Sequence, residues 1–407
     1  MWRLLLPGPG MPMAMEHLLP ERCYLRAMPL CRVSPQQAEV IVRAASTVAT
    51  IGGTVPLSAA DRRGITGALA TVFGDDSDRD LEKLESISSG EVVRVLEDDG
   101  LRLDLLRVLA VLALLDGMVE KGKIELVLDF ATALHVHAEF VDALHQLQID
   151  HARWVGYDMI RANVFTIPGV PWVPDDPYGP FLPYGGDGAD AVLSARYERL
   201  GSLSPGFFGR VFYDHYKDNG YAFPGDAEGM VEAWATPHDC LHILSGYSTS
   251  AQGELLVAAF TGGALNPAID FMESHVVPTI LIYHLGIDIN KGLNAGDRSR
   301  MEADPTWADN YNGNVHLGLD AAKLWVAWER GRTMTENVYS GHWDFWAHVA
   351  TPLSELRSQW GIPELEAAYA AVSDDDVRRA DFERPGMPKP PAVSSVAIAD
   401  RPPAPGQ

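Results

Sequence analysis

Thr236-Pro-His-Asp-Cys-Leu-His-Ile-Leu-Ser-Gly-Tyr-Ser-Thr-Ser-Ala-Gln-Gly-Glu-Leu-Leu-Val-Ala-Ala-Phe260 packs His238, Asp239, His242 and Glu254 into one short stretch beside a helix start signal. Thr236 can cap a helix and Pro237 is tolerated at a first helical position, so a helix is expected to begin just before His238. His238 and His242 are four residues apart, which puts both imidazoles on one helix face, a turn apart. Ser245 to Gly253 is rich in Ser, Gly, Thr and Gln and reads as a turn. Glu254 then opens a second apolar helical run, from which its carboxylate can fold back toward the pair. Two imidazoles with one or two carboxylates make the nitrogen-and-oxygen donor set of a divalent metal site, although such a histidine pair also occurs with no metal. His238, His242 and Glu254 are the expected ligands. Asp239 is a fourth ligand, a partner that fixes an imidazole tautomer, or a general base, and so the candidate catalytic residue. Zinc is the first expectation for the metal, with iron or manganese as alternatives.

His-Asp-x-x-His followed by eleven residues and Glu resembles the signature of the Coq-four family of coenzyme Q (ubiquinone) biosynthesis proteins. Flanking stretches resemble that family in the same order. They are Leu203-Ser-Pro-Gly-Phe-Phe-Gly-Arg-Val-Phe-Tyr213 upstream, and Trp328-Glu-Arg-Gly331, Trp343-Asp-Phe-Trp346, Pro352-Leu-Ser-Glu-Leu-Arg357 and Gly361-Ile362 downstream. The resemblance implies a mostly helical metal-binding domain that takes a polyprenylated aromatic carboxylate and removes its ring carboxyl group, oxidatively. It also implies a role in organising a biosynthetic enzyme complex, and a pocket for a hydrophobic aromatic or isoprenoid molecule. Two other readings stand beside it. One is a non-catalytic scaffold stabilised by its metal. The other is a zinc hydrolase with Asp239 as base, although Asp is a methylene shorter than the Glu of His-Glu-x-x-His enzymes.

The rest of the 407-residue chain bounds these readings. Its length predicts two or three domains and its strand signals are few, so an all-α fold is expected. A formal net charge of −23 argues against a nucleic-acid partner. Cys23, Cys31 and Cys240 cannot pair evenly and show no Cys-x-x-Cys spacing, so a reducing cytoplasmic setting is expected. The start is too short in apolar residues for a signal peptide, and methionines at 11, 13 and 15 offer later starts. The longest apolar run, Val108 to Leu115, is far short of a membrane span, which leaves peripheral membrane contact at most. A homo-oligomer is expected.

Residues 1–33 read as a flexible lead-in and 34–152 as a helical domain that opens with the cap signal Ser34-Pro35. Within it, Arg43 to Gly53 aligns with Arg107 to Gly117 at an offset of 64, Val55 with Val119 and Asp61 with Glu125, before the register fails. Each copy reads as a helix, a glycine turn and an acidic residue early in the next helix. The same stretch resembles the tellurite-resistance TerB-like helical domain, whose Asp-Gly-x-Val turn and following Glu are matched by Asp116, Gly117, Val119 and Glu125. Asp116, Glu120 and Glu125 read either as a cation or partner site or as caps and solvated acidic faces. His135, His137, His145 and His151 read as structural or surface residues.

Residues 153–200 read as a Pro/Gly/aromatic linker in which Trp172, Tyr178, Phe181 and Tyr184 pack over a neighbour or form a lid. Residues 201–372 form the metal-binding domain, with a long polar loop from Asn290 to Asn314. His275, His284, His316, His342 and His348 are not expected to join the site. Residues 373–407 are charged, then Pro-rich, and read as a disordered tail.

Overall fold

The structure is a computed structural model and describes residues 33–115, 117, 119–167, 170, 179–265, 272–285 and 319–365. The lead-in, the Pro-rich tail, the polar loop, Trp172, Tyr178, His316 and Asp116 lie outside the described residues. Those described are helical, with no β-strand among them and only two isolated bridges, Pro183–Met230 and Phe207–Pro352. None of their helices is long and apolar enough to cross a membrane.

Helices α1 (Pro35–Ala49), α2 (Ala59–Thr71), α3 (Ser89–Val93), α4 (Asp99–Ala113) and α5 (Lys121–Leu134) build the first bundle. Ser34 and Gln37 form the cap box that starts α1, as the Ser-Pro signal predicts. From Leu105 onward all but one residue of α4 is buried, which is why its apolar pattern runs almost all round.

The internal repeat is visible in the helices themselves. α4 begins and ends 64 positions after α1, and each spans 15 residues. In the second pair the offset shrinks to 62, because α2 starts at Ala59 and α5 at Lys121. That two-residue slip corrects the equivalence of Asp61 with Glu125. By helix position Asp61 corresponds to Lys123, while Glu125 is exposed. The two equivalent residues meet in the core, where Lys123 Nζ donates to Asp61 Oδ1 at 2.9 Å with both side chains fully buried. Ser58 gives Asp61 Oδ2 two further hydrogen bonds, from its amide at 3.0 Å and its hydroxyl at 2.8 Å. Burial alone would raise the Asp61 pKa, but Lys123 and the Ser58 bonds hold it below the ordinary carboxylate value.

Helix α6 (Glu139–Gln148) is followed by α7 (Ala152–Thr166), and α8 (Ala191–Glu198) lies further on. These two helices correct the reading of 153–200 as linker throughout. The Pro-rich composition begins only at Pro168, whereas Val155, Ile160 and Val164 recur at helical spacing and are buried. Two of the linker aromatics do pack over a neighbour, as described for the site.

The second half contains α9 (Phe208–Asn219), α10 (Glu232–Ser245) and α11 (Ala251–Ala264). Next comes a contiguous stretch, α12, made of a π-helical turn Met272–Val276, the α-helical Val277–Thr279 and a second π-helical turn Ile280–His284. Pro278 has no amide hydrogen to donate, so the regular ladder is interrupted here and wider turns flank it. Helices α13 (Ala321–Arg332), α14 (Phe345–His348) and α15 (Leu353–Gln359) close the described fold.

α13 crosses α11 at backbone contact: a Cβ added at Gly331 would sit 2.0 Å from Phe260 O, and one at Gly263 would sit 2.1 Å from Trp328 O. The other side of α13 lies on α2, where Gly67 leaves room for Ala322. One apolar core therefore runs without a break from α1 to Ile362, and the N-terminal bundle is packed onto the helix that buttresses the site.

Candidate metal centre

α10 carries both motif histidines, but it starts at Glu232, earlier than the Thr-Pro signal predicts. Pro237 lies inside it, where it removes a single ladder bond. The preceding turn is held by other partners. Glu232 N donates to Tyr184 Oη at 3.1 Å, Tyr197 Oη donates to Glu232 Oε1 at 2.7 Å, and Phe181 meets Trp234 edge-on at 6.3 Å. At the other end Gly246 takes a φ of 83°, and the last carbonyls receive charged donors. Arg357 donates to Ile243 O and Leu244 O, and Arg330 to Ser245 O.

The turn between α10 and α11 is short and tight. Ser250 caps α11 by accepting from Gly253 N at 3.1 Å, which puts Glu254 in the first turn, where the helix dipole favours a carboxylate. A Cβ at Gly253 would lie 1.9 Å from Ser248 O, so glycine is what lets this loop close onto the helix.

His238, His242 and Glu254 converge as the spacing predicts: one ligand atom from each lies within 4.8 Å of the others. His238 Nε2 is 3.8 Å from Glu254 Oε2, and His242 Nε2 is 3.5 Å from Glu254 Oε1. The far side of each ring is occupied. His238 Nδ1 is 3.1 Å from Asp239 Oδ1, and His242 Nδ1 is 3.2 Å from Tyr247 O. A hydrogen on each Nδ1 leaves both Nε2 lone pairs directed at the carboxylate, the arrangement that orients metal-binding imidazoles. His242 Nε2 is buried and makes no hydrogen bond. Burial pulls the His242 pKa down, but the Glu254 carboxylate outweighs it and the net direction is up.

Asp239 is not in the converging group. Its carboxylate faces His238 Nδ1 through one oxygen, and its other oxygen accepts from Tyr216 Oη at 2.5 Å. Of the roles open to Asp239, this geometry fits the partner that fixes a tautomer. Its burial favours the neutral acid, but the His238 hydrogen bond and charge lead a set of contacts that hold its pKa below normal.

Two further residues of this surround carry no local signal in the sequence. Tyr216 and His215 come from α9, a tertiary contact that no spacing rule anticipates. The His215 ring lies 5.9 Å from that of His242, its Nε2 is buried without a hydrogen bond, and burial lowers its pKa to about 4. Trp234, one turn before His238, stacks on it at 5.3 Å and 11°.

A cavity of about 90 Å³ opens on the His238 and Glu254 side, enclosed by α7, α10, α11, α12, Phe181 and Tyr339. Most of its wall is apolar, including Ile160, Val257, Ala258 and Ile282. His275 lines it, so it lies closer to the site than expected, although it is not in the converging group. His284 is elsewhere: its Nε2 donates to Leu115 O at 2.9 Å and its Nδ1 accepts from Leu319 N at 3.3 Å, tying α12 to α4 and α13. His348 packs against Trp343 and Trp360, and His342 is exposed. No family model, curated protein or solved structure matches the chain.

Proposed function

We propose that the chain binds one divalent metal through His238, His242 and Glu254 and acts on a hydrophobic aromatic carboxylate, as the Coq-four resemblance implies. The observation that carries this is the buried His242 Nε2, which has no hydrogen-bond partner and faces the Glu254 carboxylate 3.5 Å away. An orphaned buried nitrogen is costly, and a cation between it, His238 and Glu254 would satisfy all three. The donor set of two nitrogens and a carboxylate suits zinc, iron or manganese. Three protein ligands leave coordination free for a ligand, and the adjoining cavity gives one access.

A bound metal would supply Lewis acidity toward a carboxylate or phenol oxygen. The chain supplies the rest. Asp239, held by Tyr216, orients His238. Tyr247 O orients His242, and the apolar wall keeps water from the ring. Loss of a ring carboxyl group as carbon dioxide leaves an electron pair on the ring carbon, which a proton takes up. In the oxidative form a hydroxyl group replaces the carboxyl group and an electron acceptor such as dioxygen is consumed. Asp239 is less suited to the base role of a zinc hydrolase, because both its oxygens are engaged. The TerB-like resemblance of residues 34–152 adds a docking face for biosynthetic partners to the proposal.

Elemental analysis of untagged wild type and His242→Ala tests the reading. About one zinc, iron or manganese per chain, lost in the variant, is the expected result. A folded wild type that carries no metal and takes none up on reconstitution would overturn it in favour of a scaffold.

A further inference from the structure

The cavity beside His238 and Glu254 has a second polar end. Along α11, the residues Glu254, Val257, Ala258 and Thr261 all line it. They are spaced as one helical face, so the cavity follows two turns, about 10 Å from Glu254 to Thr261 at 1.5 Å per residue. Its middle is aliphatic. Facing it from α12 are Ser274 and His275, on the π-helical turn, and Asn163 on α7.

This end is held firmly. His275 Nδ1 is 2.7 Å from Ser274 Oγ, and Thr279 Oγ1 donates to His275 O at 2.5 Å. Asn163 Nδ2 donates to Ser274 O at 3.2 Å and to Met159 O at 2.8 Å, so the π-helical turn is fastened to α7. The His275 ring meets Tyr339 edge-on at 6.2 Å. Burial, with a smaller contribution from His238, lowers the His275 pKa to about 3, so the ring is neutral at physiological pH. None of the described residues lining the cavity is Lys or Arg. Among the described residues an acidic group therefore finds a positive partner only at the metal end, and this end offers neutral hydrogen bonds.

We propose that Ser274 and His275 form a neutral recognition pole, with His275 contacting a hydroxyl or carbonyl oxygen on a ring ligand whose acidic group is held at the His238–Glu254 end. His275 is thus a specificity-determining residue. The inference rests on the metal reading above and adds to it which part of the ligand is read away from the metal. When Ser274 donates to Nδ1, the opposite nitrogen carries the hydrogen and acts as donor. The π-helical turn that displays the pair is a local widening of the kind often found at functional sites.

Cobalt(II)-loaded full-length protein tests it, with benzoate, 3-hydroxybenzoate and 4-hydroxybenzoate as probes followed by calorimetry and the visible cobalt spectrum. The 2-isomer is left out because it chelates the metal with both oxygens. One of the two hydroxylated probes should bind about fivefold tighter than benzoate, the ratio expected from one neutral hydrogen bond. That preference should disappear in His275→Leu and shrink in Ser274→Ala, while the variants still take up one cobalt per chain. Equal affinity of wild type for all three probes overturns the inference whatever the variants do, and so does a preference that survives His275→Leu. Failure of wild type to take up cobalt sinks the metal reading itself. Cobalt binding without discrimination sinks only the recognition pole.

Discussion

Arg357 Nη2 donates to the carbonyl oxygen of Ile243 at 2.7 Å, so the last turn of the histidine helix is held by a side chain more than a hundred residues away. Arg357 Nε also donates to Leu244 O at 2.9 Å, and Arg330 Nη2 bridges Ser245 O and Pro363 O. Carbonyls at a helix C-terminus have no partner within the helix and attract positive charge. The two guanidiniums therefore fix the axial position of α10, and with it His238 and His242. Arg357→Ala is expected to cost about 1.5–3 kcal/mol in urea denaturation of the metal-free protein, the range for hydrogen bonds to a charged group. A loss under about 0.5 kcal/mol would mean that water replaces the guanidinium at no cost.

Asp239 stands behind His238 and away from Glu254, which separates two roles that one substitution can distinguish. Asp239→Asn keeps an oxygen that can accept from His238 Nδ1, so the variant should still hold one metal per chain, bound about 10–100-fold more weakly. Tyr216→Phe removes the donor to the other oxygen and should weaken binding in the same direction by a smaller factor. Competition against a chelator measures both. Complete loss of metal in Asp239→Asn, with the fold intact by circular dichroism, would instead make Asp239 a ligand.

The converging triad was legible because its geometry is local. Two histidines a turn apart, a short glycine- and serine-rich turn and a carboxylate in the next first turn leave little freedom in how the side chains meet. The helix start was misread for the opposite reason. Thr236-Pro237 is a valid local signal, but Tyr184, Tyr197 and Phe181 pack on the preceding turn, and tertiary contacts extend the helix past its proline. His215, Tyr216 and His275 reach the site from α9 and α12, so no spacing within the motif points to them. Arg330 and Arg357 were visible as parts of sequence patterns, but their work on α10 carbonyls is a contact between distant segments. The repeat was legible in α1 and α4 and misaligned by two residues in α2 and α5, where the loop lengths differ.

Three histidines whose pKa burial lowers give acid stability a definite sign. Burial lowers the pKa of His275 to about 3 and those of His215 and His284 to about 4, for His284 against the opposing pull of the Leu115 carbonyl. The unfolded chain takes up these protons near pH 6.5 and the folded chain does not. Their contribution to stability is therefore whole above about pH 6.5 and is lost as pH falls toward the folded values, at about 1.4 kcal/mol per pH unit for each histidine. Carboxylates with lowered pKa, such as Asp61 and Asp239, lose theirs only at lower pH. Urea midpoints of chelated protein should fall from pH 6.5 to 5, and His284→Gln should reduce the slope by about one proton. A slope unchanged in His284→Gln would show that this ring is protonated in the folded state.

Asp61 and Lys123 hold the same position in the two copies of the repeat and pair with full burial, so each offsets charge on the other. Removing one partner should therefore be far worse than removing both. Lys123→Met leaves a carboxylate that keeps its Ser58 hydrogen bonds but loses the buried Lys123 ammonium, at an expected cost of about 3–5 kcal/mol. Adding Asp61→Asn to that variant keeps an acceptor for Ser58 and takes away the stranded charge, so much of the loss should be recovered. Because α2 also packs on α13, the single variant should weaken metal retention as well as the fold, and the double variant should restore both. Denaturation midpoints and metal stoichiometry across the double-mutant cycle measure this coupling. Additive losses would mean that the pair contributes through packing alone and that its charges are screened by the surrounding protein.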